Sequence, residues 1–325
     1  QRSMPRGRVP SARRTRRSGE RSYARKIADL IAFLLPFLLL AGLALGGGGY
    51  DLFARHVAGV LAWILVAALL IAPLPEQPRP GRSFAVIGGL LLSMALLSAI
   101  SAIWSNSVSA SLTEFERLVG YLGFFTASYL TMRTPKQREW FARGVGAGLA
   151  SVVLLALGDR LLSGGQIYAG FSVARLSYPL GYWNADGVTS AAASVLFVWF
   201  ACRSEDRRWR IACLGMSVLA AISLYLTYSR GGLLVASLAL VLLFFLSPFR
   251  LRVLGTATVA IAAAVPILFV ISRHPEISGS SNGDPSLGSC VLVVACAALV
   301  ILIAGFLLEY VISLARRKPE ASGRV

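Results

Sequence analysis

Acidic side chains are scarce in this chain. Asp and Glu number 15 among 325 residues, charged residues of both signs make up 14%, and there are only two histidines and four cysteines. Each shortage excludes something. The cysteines (Cys202, Cys213, Cys290, Cys296) show no metal-ligand spacing, so neither a zinc site nor a disulfide framework is expected. No phosphate-binding P-loop, dinucleotide-binding glycine fingerprint or HExxH pair occurs, which argues against an ATP-driven pump. The sequence therefore calls for no cofactor and no metal. No repeat of fixed period is present, and the first apolar run is too long, and lacks a small-residue cleavage site, for a cleavable signal peptide.

Apolar residues, by contrast, are abundant. The chain is 56% hydrophobic, with a mean hydropathy of +0.69. No soluble core of this size hides so much apolar surface. The apolar residues fall in runs of about 20, the length that crosses a bilayer as helix. The expected fold is all-α, a polytopic membrane helical bundle. Ten spans are expected, at about 27–46, 55–72, 83–104, 115–132, 141–162, 183–202, 211–228, 231–247, 253–272 and 288–313. Turn-rich breaks such as "PLPEQPRPGR" and "HPEISGSSNGDPS" separate them. Residues 1–26 read as a basic disordered cytoplasmic arm, 27–313 as the bundle and 314–325 as a basic tail.

Charge sets the orientation. With the N-terminus in the cytoplasm and ten spans, only Arg55, Arg117, Arg160, Arg175, Arg230 and Arg273 fall outside, leaving 26 of the 32 Lys and Arg inside. This is a strong positive-inside bias, and it places both termini in the cytoplasm. The net charge of +17 is then mostly topology. The N-terminal arm could touch nucleic acid or anionic lipid, but it reads first as a disordered, topology-setting arm, and no nucleic-acid partner is expected.

"LYLTYSRGGLLVA" (224–236) poses a local problem. From Ile211 to Leu246 Arg230 is the only charged residue. As one helix this stretch would run roughly 54 Å, against a hydrocarbon core of about 30 Å. It must be two spans reversing at "TYSRGG", with the glycines permitting close packing. Arg230 then sits at the outer mouth of the bundle. A charge there faces a cavity or a partner, or else snorkels to headgroups.

Other outer segments carry related residues. "VARLSYPLGYWNADG" (173–187) brings Arg175, Tyr178, Tyr182, Trp183, Asn184 and Asp186 to the same surface. Tyr182 and Trp183 also suit an aromatic belt, and Asp186 a helix start. "WSNSVSASLTEFERLVGY" adds Glu114, Glu116 and Arg117, which also suit a local ion pair, as do Asp159 and Arg160. Several arginines on one face of an apolar bundle match phosphate geometry, and two could hold a diphosphate without metal.

"RLSYPLGYWNADG", followed some forty residues on by "LTYSRGGLLVASLALVLLFF", resembles the O-antigen ligase and O-antigen polymerase family of bacterial envelopes. "IWSNSVSASLTEFERLVGYLGFF" is similar to the segment before that family's matching span. The resemblance covers about residues 30–250. It implies a multi-pass protein of the bacterial cytoplasmic membrane that makes cell-surface polysaccharide. A glycan would pass from undecaprenyl diphosphate to a glycan or lipid acceptor on the outer face, without nucleotide or metal. Arg175, Asn184 and Arg230 match the family's arginine, asparagine and serine–arginine turn. Arg230, Arg175 and His274 are the expected catalytic residues; Asn184, Tyr182, Trp183, Arg117 and Arg273 are expected to bind substrate.

The chain departs from the family after the ninth span. Where the family carries a large outer loop with a further arginine and a histidine beside an asparagine, this chain has only "SRHPEISGSSNGDPSLG" (272–288). Arg273 and His274 lie there outside the family's context, and His274 also reads as an ordinary interfacial histidine. His56 stands near the start of the second span without a supporting motif. Two other functions fit the same residues: a transporter or flippase for a lipid-linked anionic glycan, and a non-catalytic membrane subunit.

Overall fold

The computed structural model describes residues 12–72, 81–163, 175–279 and 284–317. All regular structure among them is helical. The long helices are α1 (Ala12–Leu45), α2 (Leu52–Ile71), α3 (Arg82–Ser101), α4 (Val108–Thr131) and α5 (Pro135–Ser163). They continue with α6 (Trp183–Arg203), α7 (Arg207–Leu226), α8 (Arg230–Leu246) and α9 (Arg250–Ser272). After the single turn α10 (Pro275–Ser278) comes α11 (Leu287–Arg317). Where water is excluded, a backbone must bond within its own segment, and a helix does this for every interior residue.

Each of the ten expected spans overlies one long helix. Eight helices are long and apolar enough to cross a membrane; α8 is apolar but shorter. α4 carries Glu114, Glu116 and Arg117 in its first half and falls outside that set. Among the described residues the protein is thus all-helical, with helices suited to a membrane. Helix α1 begins at Ala12, inside the stretch expected to be a disordered arm; residues 1–11 and 318–325 lie outside the described residues.

The boundaries follow from local chemistry. Ser107, Asp206 and Ser229 accept backbone N–H groups from Ala110, Arg208 and Gly232, capping α4, α7 and α8. Thr134 and Gln137 cap reciprocally ahead of α5: the Thr134 amide donates to the Gln137 side chain at 3.0 Å, and the Gln137 amide to the Thr134 hydroxyl at 3.2 Å. Pro36 and Pro266 lie inside α1 and α9.

The chain divides into two compact units. The first comprises residues 1–39 and 52–145, the second 40–51 and 146–325. In the first unit α4 packs on α2 and α3 around Val66, Leu69, Ala127 and Leu130. Gly123 lies under the Trp63 indole: a Cβ there would come within 2.9 Å of Nε1. The opposite face of α3 is apolar and exposed, with Leu90, Met94 and Leu97 all more than half accessible. That is the surface a bilayer covers.

In the second unit α6 lies against α7 and α8, and α9 against α7 and α11. The core joins Leu214, Val218 and Ile222 of α7 to Ala260, Ala263 and Ile267 of α9 and Val293 and Leu308 of α11. At one end, the Arg210 guanidinium grips both oxygens of Glu309 (2.6 and 3.1 Å) and donates to the Ser204 carbonyl at 2.7 Å. The other end holds the candidate site.

Candidate functional site

The candidate site lies in the second unit, where α7 ends and α6 and α8 begin. α7 stops at Leu226 and α8 starts at Arg230, so the reversal falls on Thr227, Tyr228 and Ser229. Tyr228 takes a positive φ of 51°, a conformation costing a non-glycine residue about 1–2 kcal/mol. Local bonds offset that cost. The Thr227 hydroxyl donates to the Leu224 carbonyl at 2.6 Å, and the Ser229 amide to the Thr227 hydroxyl at 3.3 Å.

Ser229 ties this turn to α6. Its hydroxyl donates to the Asn184 side-chain oxygen at 2.9 Å while accepting the Gly232 amide at 3.1 Å. The Asn184 side-chain NH2 in turn donates to the Tyr182 hydroxyl at 2.6 Å. Just below, α6 and α8 touch through glycine: a Cβ on Gly187 would lie 2.6 Å from the Ser229 Cβ, and one on Gly232 would lie 2.9 Å from the Gly187 carbonyl carbon.

Beneath the turn a groove of about 770 Å³ runs between α6, α7, α8 and α9. Arg175 and Arg230 line its head. The Arg175 guanidinium carbon stands 5.1 Å from the Trp183 ring centre, so the indole face supports it. From Arg230 to Leu240 the α8 lining runs roughly 15 Å along the helix. Its walls are mostly apolar, including Ala236, Ala257, Ala260 and Ala264, with Ser194, Ser217 and Ser237 among them. Leu233, Ile261 and Val265 line it too and are each more than half exposed, so the groove opens sideways onto the apolar surface. Arg175 and Arg230 are its only charged lining residues among those described. A long apolar chain with an anionic head is the ligand shape this selects.

The remaining expected site residues are placed differently. Asn184 and Tyr182 belong to the hydrogen-bond chain to Ser229 and hold the turn against the start of α6. His274 and Arg273 do not line the groove: the His274 Nδ1 lies 3.4 Å from Glu276, and the Arg273 guanidinium covers the Phe269 ring at 4.9 Å. Arg117 belongs to the first unit, where it pairs with Glu114, while Glu116 takes His56 at 2.9 Å. The local pairing anticipated around Arg117 is therefore present, and His56 has a partner after all.

Two buried ionisable residues flank the site. Arg160 is 1% exposed, within the electrostatic influence of Asp159 and Tyr228. The Asp159 carboxylate accepts the Ser163 hydroxyl at 2.6 Å. Asp186 is 1% exposed, and neither carboxylate oxygen has a hydrogen-bond partner. The Leu180 backbone is within its electrostatic reach but falls short of hydrogen-bond geometry, so Asp186 does not cap the start of α6 as anticipated. No group of three His, Cys, Asp or Glu side chains suited to a metal ion occurs among the described residues. Outside the spans, the Glu276 carboxyl is held below its ordinary range by its own backbone amide first, then by the Ser289 hydroxyl, which donates to it at 2.8 Å.

Sequence reasoning missed Ser229, the hub of the network, although a serine before an apolar helix is a standard N-cap signal. It also missed Arg55, which lines a second cavity with His56 and Arg117. No protein-family model, curated protein or solved structure matches the chain. Fold and site together define a helical membrane protein with a laterally open apolar groove headed by two arginines.

Proposed function

We propose that the protein transfers a glycan from an undecaprenyl-diphosphate carrier to a glycan or lipid acceptor at the outer face of the bacterial cytoplasmic membrane. One observation carries the reading: Arg175 and Arg230 head a groove whose remaining length is mostly apolar and opens onto the exposed apolar surface. The polyprenyl tail enters sideways and lies along α8 and α9, and the diphosphate meets the two guanidinium forks. An acceptor hydroxyl oxygen attacks the anomeric carbon. The bond from that carbon to the diphosphate oxygen breaks, the hydroxyl proton passes to a base, and undecaprenyl diphosphate leaves carrying the bonding electrons. Charge grows on the leaving diphosphate, and preformed guanidinium groups in an apolar surround stabilise it. No ATP is needed, because the donor's own linkage drives transfer.

A second reading keeps the groove and drops the chemistry. His274, the expected base, faces Glu276 and not the groove, so a carrier that moves the same lipid without cleaving it uses the same features. Purified protein in lipid nanodiscs, given undecaprenyl-diphosphate glycan and acceptor, separates them. Glycan on the acceptor by mass spectrometry, lost in Arg230→Ala, supports transfer. Retained donor with no product, together with donor movement across vesicle bilayers, replaces it with the carrier.

A further inference from the structure

The first unit has a cavity of its own. It measures about 600 Å³ and lies between α2 and α4. Its polar end is formed by Arg55, His56, Glu116 and Arg117, and its wall descends α2 through Val60, Trp63, Ile64 and Ala67. From Arg55 to Ala67 the lining spans roughly 18 Å of helix, about half a bilayer's hydrocarbon thickness. Val60 and Ile64 are each about 60% exposed, so this groove too opens onto the apolar surface. Its floor is set by Gly59 against Gly120, where a Cβ on Gly59 would come within 3.4 Å of the facing Cα.

The guanidinium groups at the polar end keep nitrogens that no neighbour takes up. Arg117 is paired with Glu114, and His56 with Glu116. Arg55 has no such partner among the described residues: its Nε and Nη2 are shielded from solvent and donate to no neighbour there, and the Nε of Arg117 is likewise shielded and unbonded. Arg55 is half-buried, and shielded guanidinium nitrogens beside an apolar groove are suited to an anion. That anion must present several oxygens to a guanidinium fork and carry an apolar chain that descends past Trp63.

We propose that this groove holds one anionic phospholipid of the surrounding bilayer, its phosphate on Arg55 and the Arg117 Nε, one acyl chain along α2. The site is separate from the groove headed by Arg175 and Arg230 and does not depend on the function proposed for it. Bound lipid supplies acceptor oxygens to guanidinium nitrogens that the protein leaves empty, and fills the space over Gly59 and Gly120.

Trp63 lines the cavity, with its indole N–H held by the Val119 carbonyl at 3.1 Å. It is therefore a built-in reporter. In a variant keeping Trp63 and carrying Phe at the other five tryptophans (of six in the chain), fluorescence is followed in bilayers containing phosphatidylglycerol or phosphatidylcholine with brominated chains. Half-quenching is expected at about fivefold lower mole fraction of the anionic lipid, the preference one basic residue gives an anionic headgroup. Arg55→Gln should remove that preference. Equal quenching by the two lipids, or an unchanged preference in Arg55→Gln, overturns the proposal. If the single-tryptophan chain does not fold, native mass spectrometry of the full chain decides. A retained phosphatidylglycerol lost in Arg55→Gln but kept in Arg230→Gln supports the site, and loss only in Arg230→Gln refutes it.

Discussion

The side-chain oxygen of Asn184 accepts the Ser229 hydroxyl at 2.9 Å, joining residues 45 positions apart at the first turns of α6 and α8. The same hydroxyl caps α8 through Gly232. One serine thus fixes both the start of the helix that carries Arg230 and its distance from the segment that carries Arg175 and Trp183. Ser229→Ala removes the cap and leaves Asn184 unsatisfied, which should lower stability by about 1–2 kcal/mol. Gly187→Ala should cost about 1–3 kcal/mol through overpacking against Ser229. Thermal unfolding in detergent measures both. A Gly187→Ala protein as stable as the parent would mean α6 and α8 separate easily, and the groove head is not preorganised.

The two arginines at the groove head make different demands. Arg230 is the first residue of α8 and exposed; Arg175 rests on the Trp183 ring. If both stabilise a leaving diphosphate, either alanine variant should slow transfer by about 10²–10³, the loss typical of one preformed charge stabiliser. Arg230→Lys should recover little, since lysine keeps the charge and loses the fork. Trp183→Leu should reduce activity less than Arg175→Ala, because it removes only the support beneath the guanidinium. Product formation at saturating donor is the measurement. Full activity in Arg230→Ala would leave the turn with a structural role alone.

Much of this architecture was legible because membranes simplify the code. Apolar runs bounded by turn residues placed all ten long helices, and the reversal at "TYSRGG" followed from length alone, since 36 residues of helix exceed the bilayer. What was not legible is which polar residue meets which. Spacing along the chain said nothing of the Asn184–Ser229 bond, nor that Glu116 would choose His56 over the adjacent Arg117. Those pairings depend on how helices rotate against one another, and in apolar helices rotation is set by small residues such as Gly187 and Gly232 rather than by a polar stripe. The position of His274 outside the groove lining was illegible for the same reason. It shares a surface segment with Arg273, yet the α10 turn directs it to Glu276.

The pair of Arg210 and Glu309 provides a test away from the site. Arg210 is 5% exposed and doubly bonded to a carboxylate on the last helix. Glu309→Ala leaves that guanidinium buried without its counter-ion and should cost about 3–5 kcal/mol. Replacing both by apolar residues of similar size, Arg210→Met with Glu309→Leu, should come close to neutral, since the pair also sheds its desolvation penalty. A double variant as unstable as Glu309→Ala would show that the pair contributes more than it costs to bury.

Acid should loosen the segment joining α9 and α11. The Glu276 carboxyl sits below its ordinary range, held by backbone and Ser289 hydrogen bonds, with His274 adding. A depressed folded value means the ionised form stabilises the fold. That contribution is complete above the unfolded carboxylate range and disappears as pH falls through the folded value. Protection against hydrogen exchange over residues 273–279, taken relative to the intrinsic rate at each pH, should therefore fall below about pH 4, the ordinary glutamate range. In Glu276→Gln this acid limb should be absent, with faster exchange already at neutral pH. An acid limb that survives the substitution would assign the titration to another group.

Orientation follows from where the basic residues lie. Arg207 and Arg208 open α7 at the end that holds the Arg210–Glu309 pair, whereas Arg273 closes α9 at the end that holds the groove head. The positive-inside bias assigns the first end to the cytoplasm. Arg273→Cys and Arg207→Cys, each in a chain whose four native cysteines are replaced, give exposed thiols at opposite ends. Cys202 and Cys213 are buried and Cys290 and Cys296 partly so, so small apolar replacements should be tolerated. An impermeant maleimide added to spheroplasts should label Arg273→Cys at once and Arg207→Cys only after lysis. The reverse pattern would put Arg175 and Arg230 on the cytoplasmic side, where a glycan already carried to the outer face could not reach them, and the transfer reading would fall with the orientation.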